Sequence, residues 1–299
     1  MQASPGPVPE PGAANPRRTI SDAASEERLP GRVRRREGAP ATGDEAVDEA
    51  YDGLGATYEL YRQAFARDSV DGRGLPLRGT VHYGHAYDNA FWDGAQMVFG
   101  DGDNDLFTRF TGCVDVIGHE LTHGVTENEA RLEYHDEPGA LNESISDVFG
   151  SLVKQRVLQQ TADEADWLIG AGLLAPKVHG VALRSMRAPG TAFDDPVLGK
   201  DDQPAHLRDY VRTKTDNGGV HTNSGIPNRA FYLAASYIGG FAWEKTGRVW
   251  YAALGDPRVG PGSGFRAFAR VTAAVAGSLF GDAEAKAVRA GWIEVGVDV

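Results

Sequence analysis

The segment His119-Glu-Leu-Thr-His123 carries two imidazoles four residues apart, with a carboxylate directly after the first. On a helix, residues four apart lie on one face, so both imidazoles can bind the same metal ion. This spacing is typical of zinc sites in which the glutamate takes a proton from the attacking water molecule. An ordinary helix with two hydrogen-bonded histidines is the alternative. The motif predicts His119 and His123 as zinc ligands and Glu120 as a general base.

A third ligand is expected on a neighbouring helix, because a catalytic zinc needs three protein ligands and one open position. The segment after Pro138-Gly139 has apolar residues at helical spacing. Glu143 and Asp147 lie four residues apart among them, and a solvated carboxylate pair is the simpler interpretation. The apolar neighbours favour Glu143 as the third ligand instead, with Asp147 as the acceptor that orients the His119 imidazole.

The elements that must position these residues change in type along the chain. Apolar residues recur at helical spacing in 44–65, whereas 81–83 and 95–99 are short apolar runs bounded by turn residues, as in strands. Further helices are predicted at about 113–127, 139–160, 224–239, 242–253, 263–276 and 282–291. A β-rich first half before a helical second half predicts an α+β fold of two lobes, with the zinc site in the cleft between them.

Three parts follow from this division. Residues 1–16 are rich in Pro, Gly and Ala and lack periodicity, so we expect a disordered extension. Residues 17–131 are expected to form a β-rich lobe that ends in the zinc-binding helix. Residues 132–299 are expected to form the helical lobe.

The composition is that of a soluble globular protein, with 41% hydrophobic and 24% charged residues. A net charge of −12 argues against a nucleic-acid partner, which needs a basic surface. No apolar stretch is long enough to cross a membrane, and the first forty residues lack the apolar core of a signal peptide. The single cysteine, Cys113, lies in an apolar stretch and is expected to be a small buried side chain.

Five strings in order resemble successive motifs of the thermolysin family of metalloendopeptidases: VHYG, NAFWDGAQMVFGDGD, DVIGHELTHGVTENEA, GALNESISDVFG and DNGGVHTNSG. The resemblance extends from about residue 74 to residue 230, and ATGDEAVDEAYDGLGATYELYRQAF resembles the protealysin-like branch, which has a short propeptide. It implies the two-lobed thermolysin-like fold and one catalytic zinc ion. It also implies cleavage of internal bonds in proteins or peptides by a secreted, monomeric enzyme made as a zymogen, although no long pro-domain is visible. A cytoplasmic location and a non-classical export route are left open beside secretion.

The resemblance also assigns groups beside the metal. His221 matches the family's transition-state histidine, and Asp216 is the candidate partner that fixes its tautomer. Tyr134 matches the second donor to the oxyanion. Taken alone, His221 would be a loop residue and Tyr134 an aromatic side chain at the lobe boundary.

Substrate-binding residues follow from the same matching. Asn89 and Ala90 would hold the peptide main chain at a strand edge, and Arg184 would bind a substrate carbonyl. The matches to the primary pocket are Phe107, Val116 and Leu183. An apolar pocket implies cleavage before Leu, Phe, Ile or Val.

The sequence departs from the thermolysin pattern at the residues that would bind calcium. Asp115 and Asp166 match two acids of the double calcium site in thermolysin, but two other acidic positions are Lys154 and Ala171 here. Because an ammonium group can replace the charge of one cation, we predict that the paired site is absent. A single calcium ion is left open.

Two other functions compete with an endopeptidase. An aminopeptidase could use the same ligands but needs acidic residues for the substrate amino group, whereas Asn89, Ala90 and Arg184 suit an internal peptide. A zinc-stabilised binding protein should have lost Glu120 or His221, and both are present.

Overall fold

A computed structural model describes residues 15–299, so the predicted extension lies outside this range except for Asn15 and Pro16. The strands are β1 (Thr19–Asp22), β2 (Arg32–Arg36), β3 (Arg78–Val81), β4 (Ala90–Trp92), β5 (Met97–Phe99), β6 (Leu168–Ile169), β7 (Arg184–Ser185), β8 (Asp194–Asp195) and β9 (Gly199–Lys200). The helices are α1 (Glu45–Phe65), α2 (Val114–Asn128), α3 (Asp136–Leu158), α4 (Asp216–Asn223), α5 (Gly225–Ile238), α6 (Thr246–Leu254), α7 (Phe265–Phe280) and α8 (Asp282–Glu294). The predicted α+β class is confirmed.

The first part of the chain forms a five-stranded sheet in the order β2-β1-β3-β5-β4. β1, β3 and β5 run parallel to each other, while β2 and β4 pair antiparallel at the two edges. Ile20 and Val81 are fully buried on the inner face. The predicted strand at 81–83 is wrong in its bounds, since β3 ends at Val81 and His82 has a positive φ of 54°.

Helix α1 begins and ends where its sequence predicts. The Asp44 side chain accepts a hydrogen bond from the Val47 amide at 3.3 Å, which caps the first turn. Ala66 ends the helix in the left-handed conformation. The apolar stripe of the helix, with Val47 and Leu54 fully buried, packs on the inner face of the sheet.

Helices α2 and α3 lie unusually close to each other because small residues face one another. A Cβ atom at Gly150 would lie 2.3 Å from the Asp115 carbonyl oxygen and 3.1 Å from the His119 amide nitrogen. Gly118 meets Gly150 on the opposite helix. Only glycine at position 150 allows this approach, and it brings the side chains of α2 within reach of those of α3.

The second part of the chain is mainly helical, as predicted, and α5 to α8 enclose an aromatic core that includes Phe231, Trp250, Phe268 and Trp292. The two-stranded sheets β6–β7 and β8–β9 are additions that the periodicity did not predict, because each strand has only two residues. The short helix α4 was not predicted either, because its first turn is not helical. Between residues 15 and 299, no helix is both long and apolar enough to cross a bilayer. The division at residue 131 stays a proposal.

His82 joins β3 to two carboxylates and gives the stability of the protein a pH dependence. Hydrogen bonding to Asp101 and Asp44 outweighs burial and raises the pKa of His82 from 6.5 to about 9. A raised pKa in the folded state stabilises the fold fully below pH 6.5, and this contribution is lost as the pH rises through 9. We expect the melting temperature to fall between pH 6.5 and 9 by more in the wild type than in His82→Gln. Parallel melting curves for the two proteins would contradict this account.

Candidate active site

Helix α2 places His119, Glu120 and His123 at the base of a cleft. The Nε2 atoms of His119 and His123 lie 3.1 Å apart, and the two rings meet edge to face. Glu120 is half-buried, and its carboxylate makes no hydrogen bond or ion pair with residues 15–299. It is therefore free to accept a proton in the cleft.

Glu143 reaches the same point from α3. Its Oε2 lies 3.3 Å from His119 Nε2 and its Oε1 lies 3.5 Å from His123 Nε2, so that one ligand atom from each of the three residues falls within 4.8 Å of the others. The side chain is 1% exposed, and Oε2 has no hydrogen-bond partner. A buried carboxylate oxygen left in this state costs free energy unless a cation lies beside it.

The other nitrogen of each ring is held by an acceptor on α3. His119 Nδ1 lies 2.8 Å from Asp147 Oδ1, and His123 Nδ1 lies 3.0 Å from Asn142 Oδ1. With Nδ1 held by its acceptor, each ring presents its Nε2 atom to the other ring and to Glu143.

Two lone pairs and a carboxylate that converge in this way fit a zinc ion, which takes nitrogen and oxygen ligands. The electrostatics agree, since burial alone would lower the pKa of His119, but Asp147 and Glu143 raise it to about 10. The site thus favours positive charge at this point. His119, His123 and Glu143 are the residues that would hold the ion.

Asp147 is the centre of a buried network. Besides His119, its carboxylate accepts two hydrogen bonds from Arg184, at 2.8 and 2.6 Å, and one from Asn228 Nδ2 at 2.8 Å. Asp147 and Asn228 are fully buried. Burial disfavours ionisation, but Arg184 and His119 outweigh it and lower the pKa of Asp147. Asp147 therefore remains a carboxylate that fixes the His119 ring.

A left-handed turn places His221 at the rim. Residues 216–219 all have positive φ, from 47° to 85°. The sequence alone suggests a loop here, whereas the structure has a distorted first turn of α4. Gly218 has a φ of 85°, a conformation that favours glycine over residues with side chains. The turn brings Asp216 Oδ1 to 2.6 Å from His221 Nδ1, while Asp216 Oδ2 accepts from the His221 amide at 2.9 Å.

Tyr134 completes the group from the segment between α2 and α3. Its hydroxyl donates to Glu143 Oε1 and lies 3.3 Å from His221 Nε2. Burial and the neighbouring Glu143 raise the pKa of Tyr134, so the phenol keeps its proton. The Tyr134 hydroxyl and the His221 ring therefore stand side by side above the three converging ligands.

Comparison with known proteins agrees with this arrangement. Residues 24–127 match the thermolysin metallopeptidase catalytic domain and residues 130–297 match the thermolysin metallopeptidase alpha-helical domain. The chain belongs to the thermolysin family of metallopeptidases. It is therefore a metalloendopeptidase of a zinc-dependent family, as the five sequence motifs predict.

Individual relatives cover nearly the whole chain. It is 56% identical to an extracellular metalloprotease of Pectobacterium carotovorum subsp. carotovorum, over 100% of this chain and 87% of the relative. It is 52% identical to protease PrtS of Photorhabdus sp. (strain Az29), over 94% of this chain and 76% of the relative. Among solved structures, the precursor of protealysin, a metalloproteinase from Serratia proteamaculans, superposes with a TM-score of 0.94 at 59% identity, covering 96% of this chain and 88% of that one.

The cleft of this thermolysin-family chain has a volume of about 440 Å³ around the metal-site residues. Asn89 and Ala90, the residues expected to hold the substrate main chain, line it, and Phe91, Trp92 and Glu127 are additional lining residues. Phe91 and Trp92 follow Ala90 on β4, so their place in the cleft could have been predicted from the strand that carries Ala90. Nothing in the sequence indicated that Asn142 and Asn228 contact His123 and Asp147, because these contacts depend on the distance between helices.

The predicted primary-pocket residues are not part of that lining. Phe107 and Leu183 are partly buried against the small apolar cluster around Leu174, and Val116 is 6% exposed on α2. The Arg184 guanidinium donates hydrogen bonds to Asp147, and Arg184 is also absent from the lining. Their roles in substrate binding stay predictions.

The position expected for paired calcium holds Lys154. Its ammonium lies 2.9 Å from Asp166 Oδ1, 2.9 Å from the Leu168 carbonyl oxygen and 3.4 Å from Asp115 Oδ2. Asp115 is 2% exposed and also accepts from the Gly170 amide at 3.1 Å. An ammonium group thus provides the positive charge among these oxygens.

Removing that charge should destabilise the protein strongly. In Lys154→Met the buried Asp115 loses its cationic partner, and we expect the free energy of unfolding to fall by roughly 3–5 kcal/mol. The matched control is Lys177→Met, which breaks an exposed pair with Asp105 and should change stability by less than about 1 kcal/mol. Urea unfolding measures both variants. Equal, small effects would show that Lys154 does not stabilise Asp115.

Proposed function

We propose that the chain cleaves internal peptide bonds at the site formed by His119, His123 and Glu143. The convergence of these three side chains on one point, with both Nδ1 atoms already held by acceptors, is the observation that carries the proposal. A zinc ion bound there would polarise the scissile carbonyl and lower the pKa of a water molecule. The remaining chemistry belongs to side chains of the chain itself.

Glu120 is the general base and then the general acid. Its half-buried carboxylate lines the cleft without a partner in the described part of the chain. It accepts the proton of the attacking water and passes that proton to the leaving amine. Because Glu120 is not one of the three converging ligands, its loss should affect chemistry more than metal binding.

Tyr134 and His221 stabilise the oxyanion. The Tyr134 hydroxyl and His221 Nε2 lie 3.3 Å apart at the rim of the cleft, so both can donate to one developing negative charge. Asp216, at 2.6 Å from His221 Nδ1, fixes the ring with Nε2 directed into the cleft.

The substrate would lie along the edge of β4. That strand pairs only with β5 within the described sheet, so its free edge can bind an extended peptide near Asn89 and Ala90. Phe107, Val116 and Leu183 are proposed to line an apolar pocket for the residue after the scissile bond, and Arg184 to contact a substrate carbonyl. The enzyme would therefore cleave before Leu, Phe, Ile or Val.

Three further properties are part of the proposal. All groups of the site come from one chain, which is consistent with an active monomer. Secretion is supported by the extracellular metalloproteases among the relatives. For calcium, the position of Lys154 supports the absence of a double site.

Cleavage-site mapping tests this function. Peptides blocked at both ends, each with a single Leu, Phe, Asp or Lys at the varied position, are incubated with the enzyme and the products are identified by mass spectrometry. We expect cleavage before Leu and Phe and much slower cleavage before Asp and Lys. Cleavage that requires a free amino terminus would instead indicate an aminopeptidase.

A further inference from the structure

A row of polar side chains crosses the outer face of the five-stranded sheet, away from α1. Thr19 on β1 is paired with Arg36 on one side and with Arg78 on the other. On the inner face, Gly79 lies against Ile20 and Leu54, so by alternation the Arg78 side chain is on the outer face. Gln96 precedes β5 and extends the row beyond Arg78.

This row forms one end of a cavity of about 390 Å³. Arg36, Arg78 and Gln96 form its polar part, while Leu29, Pro30 and Val33 form an apolar wall. Neither the mechanism nor the metal site uses any of these residues.

Neither arginine has an anionic partner in the part of the chain that the structure describes. Within residues 15–299, neither Arg36 nor Arg78 forms an ion pair or donates a side-chain hydrogen bond, and both are exposed. Arg34 and Arg35 of β2 are paired, with Asp22 at 3.0 Å and with Asp48 at 2.9 Å, whereas Arg32 forms no ion pair within residues 15–299. Two strand spacings put the Cα atoms of Arg36 and Arg78 roughly 10 Å apart, so both guanidinium groups can reach one anionic ligand over Thr19.

We propose that this cavity is an exosite that binds an acidic segment of a protein substrate. Guanidinium groups recognise carboxylates through paired hydrogen bonds, and the apolar wall suits the side chain next to the acidic residue. The net charge of the chain is −12, so acidic substrates are repelled overall and gain most from a local cationic site.

The position of the cavity agrees with a role in substrate capture. The same sheet ends in β4, which lines the catalytic cleft. Three strand spacings separate β1 from β4, roughly 15 Å, a distance that about five extended residues span. A substrate passing around the sheet edge needs a longer connection, which an unfolded or flexible protein segment supplies.

Binding without cleavage is the first test. A fluorescein-labelled peptide with four consecutive glutamates is titrated with Glu120→Gln protein, and with the same protein carrying Arg36→Gln and Arg78→Gln. We expect the double substitution to weaken binding about tenfold, or 1.4 kcal/mol. The control pair, Arg270→Gln and Arg289→Gln, removes the same charge from exposed positions on α7 and α8 and should leave the affinity nearly unchanged. Equal weakening by both pairs, or no binding to the parent protein, would overturn the proposal.

Kinetics give a second readout, which alone depends on the endopeptidase function. A blocked substrate carries either four glutamates or four glutamines behind a Gly/Ser linker of about ten residues. The acidic tail should lower KM several-fold at unchanged kcat, and Arg36→Gln with Arg78→Gln should remove that difference. Cleavage of a substrate without a tail shows that the variant is folded and active. If the wild type did not cleave the tail-free substrate, the proposed endopeptidase function would be wrong, and the binding experiment would still test the exosite. If the acidic tail still lowered KM in the variant, the exosite proposal alone would be wrong.

Discussion

Replacing Glu120 by glutamine is expected to lower kcat/KM for a blocked peptide by roughly 10²–10⁴-fold, because the amide cannot accept the proton of the attacking water. The substitution keeps the shape of the side chain, and Glu120 is not among the three converging ligands. Zinc content should therefore stay at one ion per chain. Because the group acts in the chemical step, the loss should appear in kcat rather than in KM.

The measurement combines initial rates with metal analysis on the same sample. Glu133→Gln is the matched control, since Glu133 is an exposed glutamate beyond the end of α2 and should retain wild-type rates. Full activity in Glu120→Gln would refute the general-base assignment. Loss of activity together with loss of zinc would instead make Glu120 a determinant of metal binding.

Asp147→Asn should produce the second large effect, on both stability and metal affinity. The carboxylate accepts hydrogen bonds from Arg184, His119 and Asn228 while fully buried. In the variant the Arg184 guanidinium, whose side chain is 17% exposed, loses its charged partner. We expect the free energy of unfolding to fall by roughly 3–5 kcal/mol. We also expect zinc affinity to fall about 10–100-fold, because His119 is no longer oriented.

Zinc-competition titration and urea unfolding measure the two effects separately. The control is Asp209→Asn, which removes an exposed carboxylate beside Arg208 and should change stability by less than about 1 kcal/mol. If Asp147→Asn bound zinc as tightly as the wild type, Asp147 would not position His119.

The metal-site residues could be predicted from the sequence because their geometry is mostly local. His119 and His123 share a helix face, and Glu143 and Asp147 share another, so periodicity alone brings each pair together. Helix α1 could be predicted equally well, since its cap at Asp44 and its apolar stripe lie within one segment. Five ordered motifs then supplied the family.

Contacts between elements could not be predicted in the same way. Asn142 holds His123 because α2 and α3 approach closely, and that approach depends on Gly118 and Gly150. Asn228 reaches Asp147 from α5, which lies far along the chain. The turn at 216–219 requires four consecutive residues with positive φ, a run that is rare even though aspartate and asparagine adopt positive φ more readily than most residues. The pairing of Arg36 and Arg78 across Thr19 depends on strand register, which includes an irregularity between Ile20 and Ser21.

We expect one zinc ion at His119, His123 and Glu143 to be what makes this chain an endopeptidase. The most direct measurement is cleavage of a doubly blocked peptide after a chelator has removed the metal and zinc has then been titrated back. Activity should vanish on chelation and return linearly to its full value at one zinc ion per chain, with no such recovery in Glu143→Gln. Cleavage that persists at the original rate in metal-free protein, or full recovery in Glu143→Gln, would contradict the claim.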